Sequence, residues 1–261
     1  MRYFLNISYN GTNFNGWQSQ PNAIGVQFVI EKALSTVLRQ TTPITGAGRT
    51  DAGVHAREMW AHFDHDIEID DKKKFLQSVN GLCGPDISIN GLTSIHPDAH
   101  ARFDASKRTY KYFISFSKDP FQYPFCFKSS GPLDIDEMNL GAKILFETSD
   151  FTSFAKLHSD SKTNICKVSE AIWRNIRDDN EALDFIGGLK DGIVFTISAD
   201  RFLRNMVRAI VGTLLEIGCK RLSISEFKEI IDRKDRCSAG VSMPAKGLFL
   251  WKVDYPFPLK L

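Results

Sequence analysis

Gly46-Ala47-Gly48-Arg49-Thr50-Asp51-Ala52-Gly53-Val54-His55-Ala56 is the stretch on which the reading of this chain turns. Three glycines within eight residues exclude a stable helix and favour a tight turn. One carboxylate, Asp51, sits among small neighbours, with Arg49 two residues before it. Small flanking side chains leave room for another molecule to reach that carboxylate. The stretch lacks the Gly-Lys-Ser/Thr ending of a P-loop, and an acid at its centre repels phosphate. The turn therefore presents an acid. The same composition also suits a hairpin loop with a surface ion pair.

Regular elements are expected on both sides of the turn. Met1 to Tyr9 is an alternating, aromatic and β-branched strand. A loop follows from Asn10 to Asn22, containing Gly11, Gly16 and Pro21. Gly25 to Gln40 is an amphipathic helix, with Val26, Val29, Ile30, Ala33, Leu34, Val37 and Leu38 on one face. After the turn come a strand at Met59 to Phe63, a helix at Asp70 to Leu82 capped by Asp70 or Asp71, and a strand at Ile87 to Ile95. A long strand is expected from Ala101 through Phe116, then a loop over Pro120 to Pro132. Further on, Asp134 to Phe146 is a helix, and Cys166 to Asn175 and Gly192 to Ser198 are strands. Phe202 to Ile217 is the strongest helical pattern. Ser223 to Arg233 is a helix opened by a Ser223/Glu226 capping box, and Gly247 to Val253 closes as a strand. Strand and helix alternate in both halves, which predicts two α/β lobes split near residue 105.

The 261 residues suffice for one large or two modest cores, and 43% hydrophobic with 25% charged residues is ordinary for a globular chain. Five scattered cysteines without a Cys-x-x-Cys pair argue for reduced thiols in a cytoplasmic protein. No apolar run approaches a membrane span, and the first residues turn polar too soon for a signal peptide. A net charge of +2 permits nucleic-acid binding without demanding it.

Three further constellations carry chemistry. Lys107-Arg108-Thr109-Tyr110-Lys111-Tyr112 interleaves cations with rings. On a strand Tyr110 and Tyr112 share one face, and Lys107, Thr109 and Lys111 the other. Such a pattern suits unstacked bases and their phosphates, and equally a half-buried strand with snorkelling lysines. Arg201, Arg204 and Arg208 recur at helical spacing, with Leu203, Met206, Val207, Ile210 and Leu214 on the apolar side. Cations at a helix start oppose the helix dipole, so an anionic partner would account for them; a solvated face is the plainer reading. His62-Phe63-Asp64-His65-Asp66, with His55 upstream, invites a metal reading, but the spacing matches no known ligand motif.

With these stretches in view, nearly the whole chain resembles the TruA-type tRNA pseudouridine synthases. Gly48 to Ala56 looks like that family's catalytic motif, and Ala61 to Asp64 like the strand after it. His100 to Ala105 and Arg108 to Tyr112 are similar to the segment with its active-site tyrosine. Phe202 to Arg208 resembles its helix with a basic partner residue, and Pro244 to Leu248 its last motif. Leu82 to Asp86 and Gly240 to Met243 depart from the usual pattern. The resemblance implies an α+β chain of two ferredoxin-like lobes, residues 1–105 and 106–261. Their antiparallel sheets would join into one, with the active-site cleft between the lobes. It implies a homodimer that isomerises uridines on the 3′ side of the tRNA anticodon stem and loop. It implies that no cofactor, metal or membrane is involved. It places the nucleophile at Asp51, its ion-pair partner at Arg208, the base-stacking ring at Tyr110 and a pocket-lining leucine at Leu248.

The residue types suit that chemistry. Pseudouridine formation cuts the bond from C1′ to N1, turns the base and rejoins C1′ at C5, with no net redox change. It needs a carboxylate near C6 and C1′, a cation to hold that carboxylate ionised, and a ring for the detached uracil. The target must leave its stack, and Arg49 is the candidate to fill the gap. Lys107, Lys111, Arg201 and Arg204 are the candidate phosphate contacts. Two other readings are a tRNA-binding module without catalysis and a metal-dependent hydrolase built on His55, His62 and Asp64.

Overall fold

The computed structural model describes residues 1–20, 23–157, 162–185, 189 and 191–259. Among these, the elements in chain order are β1 (Arg2–Tyr9), α1 (Val26–Leu38), β2 (Thr45–Gly46), β3 (His55–Asp64), α2 (Lys72–Cys83) and β4 (Ile87–Ile95). Then come β5 (Lys107–Ser115), β6 (Phe127–Lys128), α3 (Ile135–Ile144), β7 (Val168–Asn175), α4 (Asn180–Phe185), β8 (Gly192–Ala199), α5 (Met206–Gly218), α6 (Ile224–Arg233) and β9 (Leu248–Asp254). The fold is α+β. Two compact units form, one from Met1–Lys107 with Phe249–Leu261 and one from Arg108–Leu248.

In the first unit β1 is central, antiparallel to β3 on one side and to β4 on the other. β2 pairs antiparallel with β3, and β9 pairs parallel with it at His55↔Phe249 and Ala56↔Leu250. β1 is buried on both faces. Tyr3 stacks on Phe63, which stacks on Phe75 of α2. On the other face Phe4 meets His62, Tyr255 and Phe257. The α1 residues Val26, Ile30, Ala33 and Leu34 supply a fully buried stripe at helical spacing. α2 starts where Asp71 accepts the amide of Lys74, one of the two caps expected.

In the second unit β8 lies between β5 and β7, antiparallel to both, and every one of its residues is buried. β6 adds a short parallel pairing to β5 inside the stretch expected to be loop throughout. Both units thus contain parallel pairs beside the expected antiparallel ladders. Asn139 of α3 bonds both backbone groups of Trp173 on β7, which fixes helix to strand. The Ser223/Glu226 capping box forms as expected.

Three expectations change. The long strand begins at Lys107, because His100 and Asp104 close a turn through Asp104 N to His100 O and His100 N to Asp104 Oδ2. β3 begins at His55, four residues earlier than expected. α5 begins at Met206, because Asn205 takes a left-handed φ of 67°. Pro21 and Asn22 of the first loop lie outside the described residues.

Candidate active site

The Asp51 turn stands at the start of β3. Val54 N donates to Asp51 O at 3.1 Å, and Gly53 between them has φ +76°. A positive φ at the third position of such a turn is the place type II geometry reserves for glycine. Asp51 is half-buried, while Arg49 and Ala52 are exposed. The turn thus leaves Arg49 and Ala52 open to solvent on a backbone held by hydrogen bonds.

What holds it is the loop after β1. Trp17 N donates to Thr50 O at 3.1 Å and Gly53 N to Phe14 O at 3.2 Å. The register of β1 on β3 slips between Ile7 and Tyr9, leaving one extra residue on β3. Tyr9 lies past the slip, and its hydroxyl bonds Thr50 Oγ1 at 2.8 Å. Gly16, at φ +86°, passes so close that a Cβ there would lie 2.4 Å from Thr50 O. Sequence reasoning placed Phe14, Gly16 and Trp17 only in a loop, and Tyr9 only at the end of a strand. The signal was the glycine spacing beside Trp17, which marks close backbone approach rather than slack.

The histidines of the expected metal cluster, His55, His62 and His65, are structural. His55 is buried, accepts Gly11 N on Nδ1 at 3.0 Å and stacks on Phe249 with centroids 4.5 Å apart. His62 accepts Ala101 N on Nδ1 at 3.1 Å. Burial, followed by the nearby Arg2 guanidinium, pushes its pKa down to about 4. His65 bonds Gln40, and Asp64 holds Arg2 through two hydrogen bonds. That pairing, which outweighs the cost of burial, lowers the Asp64 carboxyl. All five cysteines are free thiols.

The second unit carries the tyrosine and the basic residues. On β5, Tyr110 is half-buried and meets Phe202 edge-on at 5.0 Å. Tyr112 is buried, and its hydroxyl donates to Pro244 O at 2.9 Å, so this second ring serves the interior. Lys111 is a correction. Its side chain is 5% exposed and its ammonium bonds both oxygens of Asp179, so it is withheld from any phosphate. The interior admits a charge only with its counter-charge. Lys107, at the edge of the first unit, is open to solvent and pairs with Asp254.

The arginine stripe is also a correction. Arg201 and Arg204 precede α5 and only Arg208 lies on it, so the three share no helical face. Asp200 Oδ1 accepts the amides of Lys167 and Arg201, and Arg204 O accepts Lys156 N. Those bonds shape an irregular segment with Arg204 exposed. Arg208 Nε donates to Met243 O at 2.5 Å. Leu248, five residues beyond Met243, is buried. Asp51 and Arg49 thus belong to the first unit, and Tyr110, Arg208 and Leu248 to the second.

Residues 142–256 match the family model described as tRNA pseudouridine synthase. The chain is 50% identical over 255 residues to a tRNA pseudouridine synthase A of Bacteroides thetaiotaomicron, covering 98% of this chain and 91% of that one. It is 51% identical to the protein of that name from Bacteroides fragilis, covering 98% and 96%. The Bacillus subtilis protein of the same name is 35% identical, covering 98% and 99%.

Proposed function

This chain belongs to the tRNA pseudouridine synthase family, and on that footing we infer that it isomerises uridine to pseudouridine in the anticodon stem and loop of tRNA. The observation that carries this reading is 35% to 51% identity, over nearly the whole length, to proteins named tRNA pseudouridine synthase A. The two units would be ferredoxin-like lobes whose sheets join, with the cleft between them, in a cytoplasmic homodimer. In terms of sequence these lobes are 1–105, with the catalytic turn, and 106–261.

In this reading Asp51 attacks or stabilises the reacting carbon while the glycosidic bond breaks. Its carboxylate is well suited, standing on a turn braced by Tyr9 and Trp17 and flanked by exposed Ala52. Arg208 serves as the ion-pair partner of Asp51, and Tyr110 carries the loosened uracil on its ring. Arg49, exposed next to the turn, fills the gap left by the flipped base. Leu248 lines the pocket. Lys107, Arg201 and Arg204 meet phosphates. Bonds broken and formed balance without an oxidant, so the reaction needs no redox cofactor.

The test is tritium release from tRNA labelled at uracil C5, with pseudouridines mapped in tRNA from cells with and without the gene. Stoichiometric release, and loss of pseudouridine from the 3′ side of the anticodon arm, is expected. An unchanged map together with no release by the purified protein would overturn the reading.

A further inference from the structure

Residues 240–243 form a strap with no regular secondary structure that lies directly on α5. The approach is close: a Cβ on Gly212 would lie 1.9 Å from Val241 O. Met243 N donates to Arg208 O at 3.1 Å, and Arg208 Nε returns a bond to Met243 O. The planar guanidinium carries its donors in a fixed fork, so engaging Nε sets the plane of the whole group. Arg208 is thereby aimed by a backbone carbonyl, and the strap must itself be held.

Its own apolar side chain does not hold the middle of the strap, because Val241 is 73% exposed. Polar groups do. Arg236 donates to Gly240 O at 3.1 Å and to Ser242 Oγ at 2.7 Å. Asn205, the left-handed residue that starts α5, donates to the same Ser242 Oγ at 2.5 Å. Ser242 thus joins the start of α5 to Arg236 across the strap. The same segment runs on to Pro244 O, bonded by Tyr112, and to Leu248.

We propose that Arg236 is a positioning residue for Arg208, acting through Ser242 and the Met243 carbonyl to fix the plane in which the Arg208 guanidinium meets its carboxylate. This rests on the reading that Arg208 serves pseudouridine formation. The donors of a guanidinium lie in one plane, so a loosened strap should slow the chemical step while leaving tRNA binding alone.

Arg236→Gln and Ser242→Ala each remove one anchor, and the second stands in should the first fail to fold. Single-turnover tritium release at saturating enzyme should fall about tenfold in each, with Kd for tRNA within about twofold of the parent. Ser242→Thr, which keeps the hydroxyl, should retain the parental rate. In an Arg208→Lys background Arg236→Gln should cost less than about twofold further, because the donor it positions is gone. An unchanged rate in both anchor variants, equal fold losses in both backgrounds, or affinity falling together with rate would overturn the proposal. Inactivity of the parent protein on tRNA would instead overturn the family reading, and full activity of Arg208→Lys the role of Arg208.

Discussion

The ammonium of Lys111 lies 2.7 and 2.8 Å from the two carboxylate oxygens of Asp179, with both side chains under a tenth exposed. Glu181 adds a third oxygen at 3.3 Å from its exposed position. Asp179 also accepts Ala182 N at 2.9 Å, so one carboxylate both neutralises the lysine and starts α4. Such a pair is costly to break from one side, because the survivor is left buried and charged. Asp179→Ala should therefore lose about 3–5 kcal/mol in urea unfolding, and Lys111→Met combined with Asp179→Leu should recover most of it. A loss under about 1 kcal/mol for Asp179→Ala would show that Lys111 escapes to solvent.

Asp51→Asn should abolish tritium release and leave tRNA affinity and melting temperature near those of the parent. The amide keeps the shape but lacks the charge and nucleophilicity. Asp51 is half-buried on a turn rather than set in the core, so packing is untouched. Several orders of magnitude in turnover are at stake, against a few tenths of a kcal/mol in stability. Near-normal release would sink the assignment, and a collapsed melting temperature would make the turn a structural element.

Gly16 and Gly48 make a matched pair. Gly16→Ala forces a side chain into φ +86° and against Thr50 O, so it should cost about 1–3 kcal/mol and reduce turnover by shifting the Asp51 turn. Gly48→Ala meets nothing within 4 Å and should stay within about 0.5 kcal/mol. Equal effects of the two on melting temperature and rate would mean the loop after β1 does not brace the turn.

His62 makes stability depend on pH. Its folded pKa of about 4 lies below the ordinary histidine value, so the unfolded chain binds more protons between those limits. The contribution is present in full above about pH 6.5 and is lost as pH falls toward the folded value, for a total on the order of 3 kcal/mol. Unfolding free energies measured at neutral and mildly acidic pH should fall in parent protein and change less in His62→Gln. Parallel curves would assign the acid sensitivity elsewhere.

Replacing Arg201 or Arg204 with Ala should flatten the dependence of log Kd on log salt by about one unit or less for each phosphate that the arginine neutralises. Filter binding across a salt series measures this. If both variants keep the parental slope, that irregular segment does not touch tRNA.

Local geometry made much of the fold legible. β4 begins with the alternation of a half-covered strand, whereas β1 is legible from its aromatic and β-branched content and is buried on both faces rather than alternating. α1 follows its apolar period, and the Asp71 and Ser223 caps sit where hydrogen-bonding side chains precede amide donors. The start of α5 was hidden because Phe202, Leu203, Met206 and Val207 keep a helical period through the break at Asn205. Periodicity reports which residues seek the core, and an irregular segment packed on that core satisfies it as well as a helix does.

By itself, then, the sequence determined the succession of the longer strands and helices, though not the short β2, β6 and α4, and it displayed one carboxylate among small residues in a turn. These depend on neighbours within a few positions, where spacing, caps and glycines act directly. Only the tertiary structure decided that Lys111 is spent on Asp179, that Tyr9 and Trp17 brace Thr50, and that β9 pairs with β3 from the far end of the chain. Each of those joins residues distant in sequence. Whether a lysine faces solvent or a buried carboxylate depends on what the rest of the chain brings to it, and no local pattern carries that information.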